Sequence, residues 1–328
     1  MLLLGRGEVE ELLDVDELID ALAGAMADLS AGRASAPNRV GARVEERDGL
    51  LAAMPGYTPS AGALTSKLVT LFPRNAGGPL PTHQAVIAVF DAADGRPAAL
   101  LDGNAITAIR TAAGSALATR LLAREDAATI AILGTGVQAA SHARVVTRVR
   151  PFRELRVAGR TRAKAEALAA ELDSELDLPV RAAASFAKAC EGADVICAAT
   201  HADEPVVRRE SIQVGAHVNS VGYNPRGREV DDRTVVDALV VVESRAAALA
   251  PFPAGSTDLL QPLERGLIGA DHVHAEVGEL VAGKRRGRTS PDEITLYKSV
   301  GVAVQDGTAA ALALRAARAR GAGREVEL

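Results

Sequence analysis

The stretch Thr129–Val146, TIAILGTGVQAASHARVV, reads as an apolar strand, a glycine turn and the start of a helix. No other feature restricts the fold as strongly. A continuous apolar run suits a strand covered on both faces, and a helix that follows at once implies a parallel sheet with right-handed crossovers. Gly134 permits the tight turn after the strand, and Gly136 lets backbone approach a pyrophosphate. Ala139 allows close helix packing, and the helix start at Val137 and Gln138 faces the anion. Such units commonly open a chain, yet here about 130 residues come first.

Downstream of Ala127 the same alternation continues. The runs LRVAGR, ADVICAAT, AHVNSVG and ALVVVES are separated by helix-like segments. The expected class is therefore α/β, a doubly wound, Rossmann-type open sheet. At the end of the second strand an acidic residue would bind a ribose 2′-hydroxyl. This chain has Arg160 there, followed by Thr161, Arg162 and Lys164. An arginine at that place pairs with a 2′-phosphate, so NADP(H) is the expected preference, with NAD(H) possible.

The leading residues read differently. Leu18, Ile19, Leu22, Met26 and Leu29 fall at helical spacing, with Asp14 placed to cap and Gly32 beyond. Short strand-like segments punctuated by turns run from Arg39 to about Ala99, and a helix rich in small residues follows. This α+β region has little helix to cover its sheet, so one face is expected to be buried in an isologous homodimer. Arg39, Lys67 and Arg110 each lie in an apolar or small-residue segment, as do Thr82 and His83. A charge in such a setting needs a partner, and three converging cations would bind a carboxylate.

Composition removes other classes. Aromatics are 2% with no Trp, and the net charge is −5, which argues against nucleic acid and anionic membranes as partners. No run of 18 apolar residues exists, and MLLLGRGEVEEL is too short and acidic for a signal peptide. Cys190 and Cys197 fit neither a zinc site nor a redox pair and read as small core residues, consistent with a reducing cytoplasm. His272 and His274 form H-x-H without an evident third ligand, so no metal is expected. The segment Lys284 to Arg288 reads as a solvated turn, and Asp231 and Asp232 as a helix cap.

Several motifs in order, among them NRVGA, TSKLVTLFPRN, GPLPTHQAVIAVFDAADGRPAALLDGNAITAIRTAA, ILGTGVQA, VNSVGYNPRGREVDD and GRTSPDEITLYKSVGVAVQD, resemble the ornithine cyclodeaminase and mu-crystallin family over nearly the whole chain. The resemblance implies a substrate and dimerisation domain, residues 1–122 plus 303–328, with a dinucleotide-binding domain, residues 123–302, inserted in it. It implies that Arg39 and Lys67 hold the substrate carboxylate and reacting centre, with Lys67 catalytic. It places Thr82 and Arg110 against the cofactor, with Arg110 also near the carboxylate. Thr200 and the run Val218, Asn219, Ser220, Val221, Gly222 would wall the nicotinamide ribose, and Ser299 and Val300 would lie near the nicotinamide.

One departure matters. Cyclodeaminases of the family carry GGDCPGK, whose Asp is the acid-base residue, whereas this chain has a loop one residue shorter with Asn224 at that place. An amide cannot exchange a proton as a carboxylate does. The expected function is therefore an imine reductase or amino-acid dehydrogenase acting on a small imino or amino acid. A cyclodeaminase using bound NAD and a non-catalytic NADPH or small-ligand binder are the alternatives.

Overall fold

The computed structural model describes residues 1–327. The first elements are β1 (Leu2–Leu4), α1 (Arg6–Leu12), α2 (Val15–Ser30), β2 (Val40–Val44), β3 (Gly49–Thr58), β4 (Ala63–Leu71), β5 (His83–Phe90), β6 (Pro97–Asp102) and α3 (Gly103–Leu122). The middle of the chain supplies β7 (Thr129–Leu133), α4 (Val137–Val146), β8 (Glu154–Ala158), α5 (Arg162–Glu175), β9 (Val180–Ala182), α6 (Phe186–Cys190), β10 (Val195–Ala198) and β11 (His217–Ser220). It continues through α7 (Asp232–Asp237), β12 (Leu239–Val242), α8 (Arg245–Ala248), α9 (Thr257–Glu264), β13 (Val273–Glu276), α10 (Val277–Val281) and β14 (Thr295–Lys298). The chain closes with α11 (Ala303–Arg320) and β15 (Arg324–Glu325). Two compact units result: Met1–Arg110 with Gly301–Leu328, and Thr111–Val300. The first crossing falls inside α3, twelve residues before the boundary expected at 122, because that helix runs unbroken through it.

The first unit is built on a seven-stranded sheet in the order β15-β1-β6-β5-β4-β3-β2. Pairing is antiparallel from β2 to β6, and β1 then joins β6 in parallel. Neither β1 nor β15 was expected, since both are two or three residues long and carry no pattern of their own. The alternation of β3 turns Leu50, Ala52 and Met54 inward, where α11 packs with Ala303. Helix α2 starts where expected, Asp14 accepting a hydrogen bond from Glu17 N at 2.8 Å. The opposite sheet face is open: Val40, Ala53, Leu68 and Val86 face one another in register across four strands, and Val40, Leu68 and Val86 are exposed.

The second unit holds an eight-stranded, all-parallel sheet in the order β13-β12-β14-β11-β10-β7-β8-β9. Its central strands are buried on both faces; β10 and β12 are accordingly apolar throughout, whereas β11 and β14 also bury His217, Asn219, Ser220, Thr295 and Lys298. Cys190 and Cys197 are buried in this core, and burial pushes both thiols up to about 12. Asp231 caps α7 through Thr234 N at 2.9 Å, while Asp232 pairs with Arg228 and Arg265. The segment expected as a solvated turn is exposed from Lys284 to Arg286, but Arg288 is not part of a solvated turn. Its guanidinium donates to the carbonyls of Leu122 and Glu293 and to the Thr295 hydroxyl, and so ties that turn to the sheet.

Two buried histidines in this unit are held neutral. His142 Nδ1 is 2.7 Å from the Gln138 carbonyl, which can only accept, so Nδ1 carries the hydrogen and Nε2 accepts from Ser115 Oγ at 2.9 Å. His217 lies between Thr295 Oγ1 and Asn219 Oδ1. Burial lowers the first to about 4 and the second, with help from Arg288, to about 3. Below pH 6.5 the unfolded chain binds protons that the folded one refuses. The stability is therefore complete above pH 6.5 and is lost as pH falls toward 4 and then 3. Urea unfolding followed from pH 7 to pH 4 is expected to show a midpoint that falls steadily, with a slope approaching about 1.4 kcal/mol per pH unit for each histidine. His142→Gln should flatten that slope, and a midpoint independent of pH over this range would refute it.

Candidate functional site

The three cations singled out in the leading residues do come together within the first unit. Lys67 lies on the covered face of β4 at 3% exposure, with Met54 and Ile87 as its register neighbours. Its Nζ is 2.8 Å from Asp306 Oδ2 and 3.0 Å from Oδ1. Arg110, on α3, donates from Nε to Asp306 Oδ1 at 2.8 Å and from Nη1 to Gln305 Oε1 at 2.9 Å. Arg39 donates from Nη2 to the Gly301 carbonyl at 2.7 Å. Lys67 and Arg110 thus share the one buried carboxylate of Asp306, which leaves that trio one positive charge in excess, while Arg39 is near enough to Lys67 to act on its charge.

The electrostatics follow from burial. Desolvation lowers the Lys67 ammonium, Asp306 partly restores it, and Arg110 and Arg39 push it down again, to about 8. Burial alone would raise the Asp306 carboxyl, but Arg110 and then Lys67 outweigh it and hold it below the usual carboxylate range. At the start of β5, His83 Nδ1 is 3.1 Å from Asn104 Oδ1. That oxygen accepts, so Nδ1 carries the hydrogen and Nε2 a lone pair. Burial first, then Lys67, hold His83 below its ordinary value. Thr82 beside it is exposed, its carbonyl accepting from Phe72 N.

In the second unit the glycine turn has the form expected of it. Gly134 has φ +125°, and a methyl added there would lie 2.5 Å from the Ala199 carbonyl oxygen, so only glycine fits between the ends of β7 and β10. Gly136 is the N-cap of α4 in ordinary extended conformation, with nothing within 4 Å of where a Cβ would stand and no side chain capping the helix. Val137 is exposed, and the Gln138 carbonyl is taken by His142. An uncapped helix start in open space suits a phosphate. Arg160 and Thr161 are exposed at the end of β8, while Arg162 pairs with Glu166 one turn along its own helix at 2.7 Å. Arg162 is thus ion-paired within its own helix.

The segments expected as the ribose wall lie at the carboxyl ends of neighbouring strands. Thr200 follows β10, and Val218, Asn219 and Ser220 belong to β11. Asn219 is buried and donates to Thr119 Oγ1 at 2.9 Å, so its side chain serves the interior. Val221 N donates to Ala198 O at 3.0 Å. Glu229, 2% exposed, gathers the rest: its Oε1 accepts from Thr200 N (2.6 Å) and Thr200 Oγ1 (2.8 Å), its Oε2 from Ser220 Oγ and Gly222 N (both 2.7 Å). A methyl on Gly222 would lie 2.2 Å from the Thr200 carbonyl oxygen and 2.4 Å from Glu229 Cδ, so the wall closes only on glycine. Ser299 Oγ and Val300 N both donate to the buried Glu243.

Asn224 is buried in its own loop. Its Nδ2 donates to the Ala202 carbonyl and Asp203 Oδ1, and its Oδ1 accepts from Arg226 N, all at 3.0 Å. Those bonds make it a latch of the shortened loop. His272 and His274 bond to different carbonyls, of Val235 and Arg286. Asp306, Gln305, Asn104, Glu229 and Glu243 were not anticipated. A signal existed for two of them. Asp306 in VAVQDGTAAALA and Glu243 in ALVVVES are single acids in apolar or small-residue runs, and the rule applied to the cations applies equally to them.

Residues 1–320 match the model of the ornithine cyclodeaminase/mu-crystallin family. The chain is 40% identical over 299 residues to the ketimine reductase mu-crystallin of Mus musculus, covering 90% of each. Among solved structures it is similar to the Delta(1)-pyrroline-2-carboxylate reductase of Thermococcus litoralis in complex with NADH and L-proline. That match has a TM-score of 0.94 and 38% identity, and covers 99% of this chain and 100% of that one. An archaeal alanine dehydrogenase dimer with bound NAD matches with a TM-score of 0.92 at 28% identity, over 100% and 99% of the two chains.

The shared carboxylate generates a stability test. Asp306→Ala leaves Lys67 and Arg110 buried against each other, and is expected to cost about 3–5 kcal/mol in urea unfolding. Adding Lys67→Met should return part of that loss, since one stranded charge is removed with its partner. Equal stability of Asp306→Ala and the unmodified protein would show that the pair carries no such weight.

Proposed function

The chain belongs to the ornithine cyclodeaminase/mu-crystallin family, and from that membership we propose that it is an NAD(P)H-dependent reductase of small cyclic or open-chain imino acids, run in reverse as an amino-acid dehydrogenase. The observation that carries this reading is the pair Lys67 and Arg110 on the one buried carboxylate of Asp306, with Arg39 anchored on the Gly301 carbonyl beside them. Its excess positive charge suits a substrate carboxylate, bound by charge-assisted hydrogen bonds from Arg39 and the free edge of Arg110. A nicotinamide dinucleotide, when bound, supplies hydride to the imine carbon. The residues that suit it are Gly134, Gly136, Val137 and Gln138 at the pyrophosphate and Arg160 at a ribose 2′-phosphate. Thr200, Val218 to Gly222, Ser299 and Val300 suit its nicotinamide end.

Lys67 is the proton donor to the imine nitrogen in this reading. An ammonium lowered to about 8 gives up its proton more readily than an ordinary lysine and is still mostly charged at pH 7. Asp306 keeps it charged and fixed, and Asn104 fixes the His83 ring beside it. Reduction needs no carboxylate at 224, because a protonated imine already accepts hydride; the loop latch at Asn224 is compatible with that and not with a cyclodeaminase's acid-base residue. The open apolar row Val40, Ala53, Leu68 and Val86 suits a second copy of the chain, and the similar archaeal alanine dehydrogenase is a dimer.

Four outcomes are expected. With a panel of cyclic imino acids and NADPH, followed at the nicotinamide absorbance band, Lys67→Ala should lower kcat/KM by about two to four orders of magnitude and Asn224→Ala by far less. In the unmodified protein, kcat/KM for reduction should fall as pH rises through about 8, where Lys67 loses its proton, while amino-acid oxidation should rise. Proline and ammonia formed from ornithine would instead favour the cyclodeaminase. Fluorescence titration should show tighter binding of NADPH than NADH, and Arg160→Asp should narrow the gap; a preference for NADH in the unmodified protein would remove the role given to Arg160. Light scattering should give twice the 33.8 kDa chain mass at micromolar concentration, and a monomer there would contradict the use assigned to the open face.

A further inference from the structure

Glu229 differs from two other acids of the second unit, each of which faces a cation. Asp258 is 2.9 Å from the Lys298 ammonium, and Asp194 is 2.6 Å from Arg124. Glu229 instead takes all four of its bonds from neutral donors, the Thr200 and Gly222 amides and the Thr200 and Ser220 hydroxyls. Lys298 reaches it only through Ser220 Oγ, at 3.0 Å from the ammonium. Its own backbone amide donates to Asp258 Oδ1 at 2.8 Å, which anchors the segment that carries it. A full negative charge is thereby held at 2% exposure directly behind the ends of β10 and β11.

We propose that Glu229 is the positioning residue for the nicotinamide end of the cofactor, and that its charge favours the cationic, oxidised ring over the neutral, reduced one. The proposal rests on the dinucleotide reading above. The positioning half follows from the bonds: Thr200 and Gly222 present their outer surfaces only because one carboxylate gathers their inner donors. The electrostatic half follows from charge in a dry setting. A buried anion that is not ion-paired stabilises a nearby cation, and the oxidised ring carries one positive charge that the reduced ring lacks. Bound reduced cofactor is then the stronger hydride donor.

The test compares three ligands on purified protein: NADP⁺, NADPH and 2′,5′-ADP, the last lacking the nicotinamide half. Glu229→Gln keeps the size of the side chain but removes the charge. Its expected effect is an unchanged affinity for 2′,5′-ADP, weaker binding of both dinucleotides, and a larger loss for NADP⁺. The ratio of the two dissociation constants should move by about tenfold toward the reduced form, the size of one unit charge acting across several ångströms of protein. A purely structural role would weaken both dinucleotides alike and leave the ratio fixed. Glu229→Asp keeps the charge and is the gentler change: it should weaken both forms while holding the ratio. An unmoved ratio in Glu229→Gln, or wild-type affinities in Glu229→Asp, overturns the proposal alone. A wild-type protein that binds neither dinucleotide overturns the cofactor reading and this proposal with it.

Discussion

The carboxylate of Asp306 joins three segments that are remote in sequence: strand β4 through Lys67, helix α3 through Arg110, and its own helix α11. The first unit is discontinuous, and α11 supplies the layer that covers β3 and β4. Apolar packing holds that layer down but is indifferent to rotation by a residue. A buried ion pair is not, because a one-residue slip would strand two cations in the interior. The small side of the helix agrees with this register. A methyl on Gly307 would lie 2.8 Å from Thr65 Oγ1, so the helix meets the strand where it has least side chain. The interaction that orients the candidate chemistry is thus also the one that seats the closing helix.

The second unit uses carboxylates differently. Asp194 accepts from Ala128 N and Thr129 N, Asp258 from Glu229 N and Val230 N, and Glu243 from Val300 N. Each clamps backbone amides near a strand terminus that the ladder leaves unpaired. Asp194 works at the amino end of β7; in a doubly wound sheet ligands are accommodated at the opposite, carboxyl ends of the strands, where Glu243 holds Val300 N beyond β14. A rigid scaffold there keeps the first-contact residues in place before any ligand arrives, which reduces the ordering that binding must otherwise impose.

What could be read from sequence divides along physical lines. The parallel sheet was legible because strands buried on both faces, such as β7, β10 and β12, are largely apolar, and the glycine turn because Gly134 occupies a conformation closed to other residues. Lys67 and Arg110 were legible as charges in apolar company. Asp306 completes their arrangement and went unread, although the same reasoning covered it. Neither β1 nor β15 could be read, since strands that short are specified by their neighbours in the sheet. Arg288 looked like one cation among several in GKRRGR; its hydrogen bonds to surrounding carbonyl and hydroxyl oxygens separate it from the exposed ones. Glu229 carried no signal at all, because REVDD reads as a helix cap and the donors it gathers come from loops 7 to 29 residues away.

The two ends of the first unit's interruption meet within that unit. A methyl on Gly301 would lie 2.9 Å from Arg110 Nη2, and Arg39 grips the Gly301 carbonyl from another direction. Residues 111–300 therefore depart and return at nearly the same point, like a long loop whose base is pinned. Chain entropy grows only with the logarithm of loop length once the base is closed. The first unit is then nearly blind to how much chain it hosts. That explains in thermodynamic terms how a fold assembled from residues 1–110 and 301–327 tolerates an entire second unit between its last two helices without being pulled open.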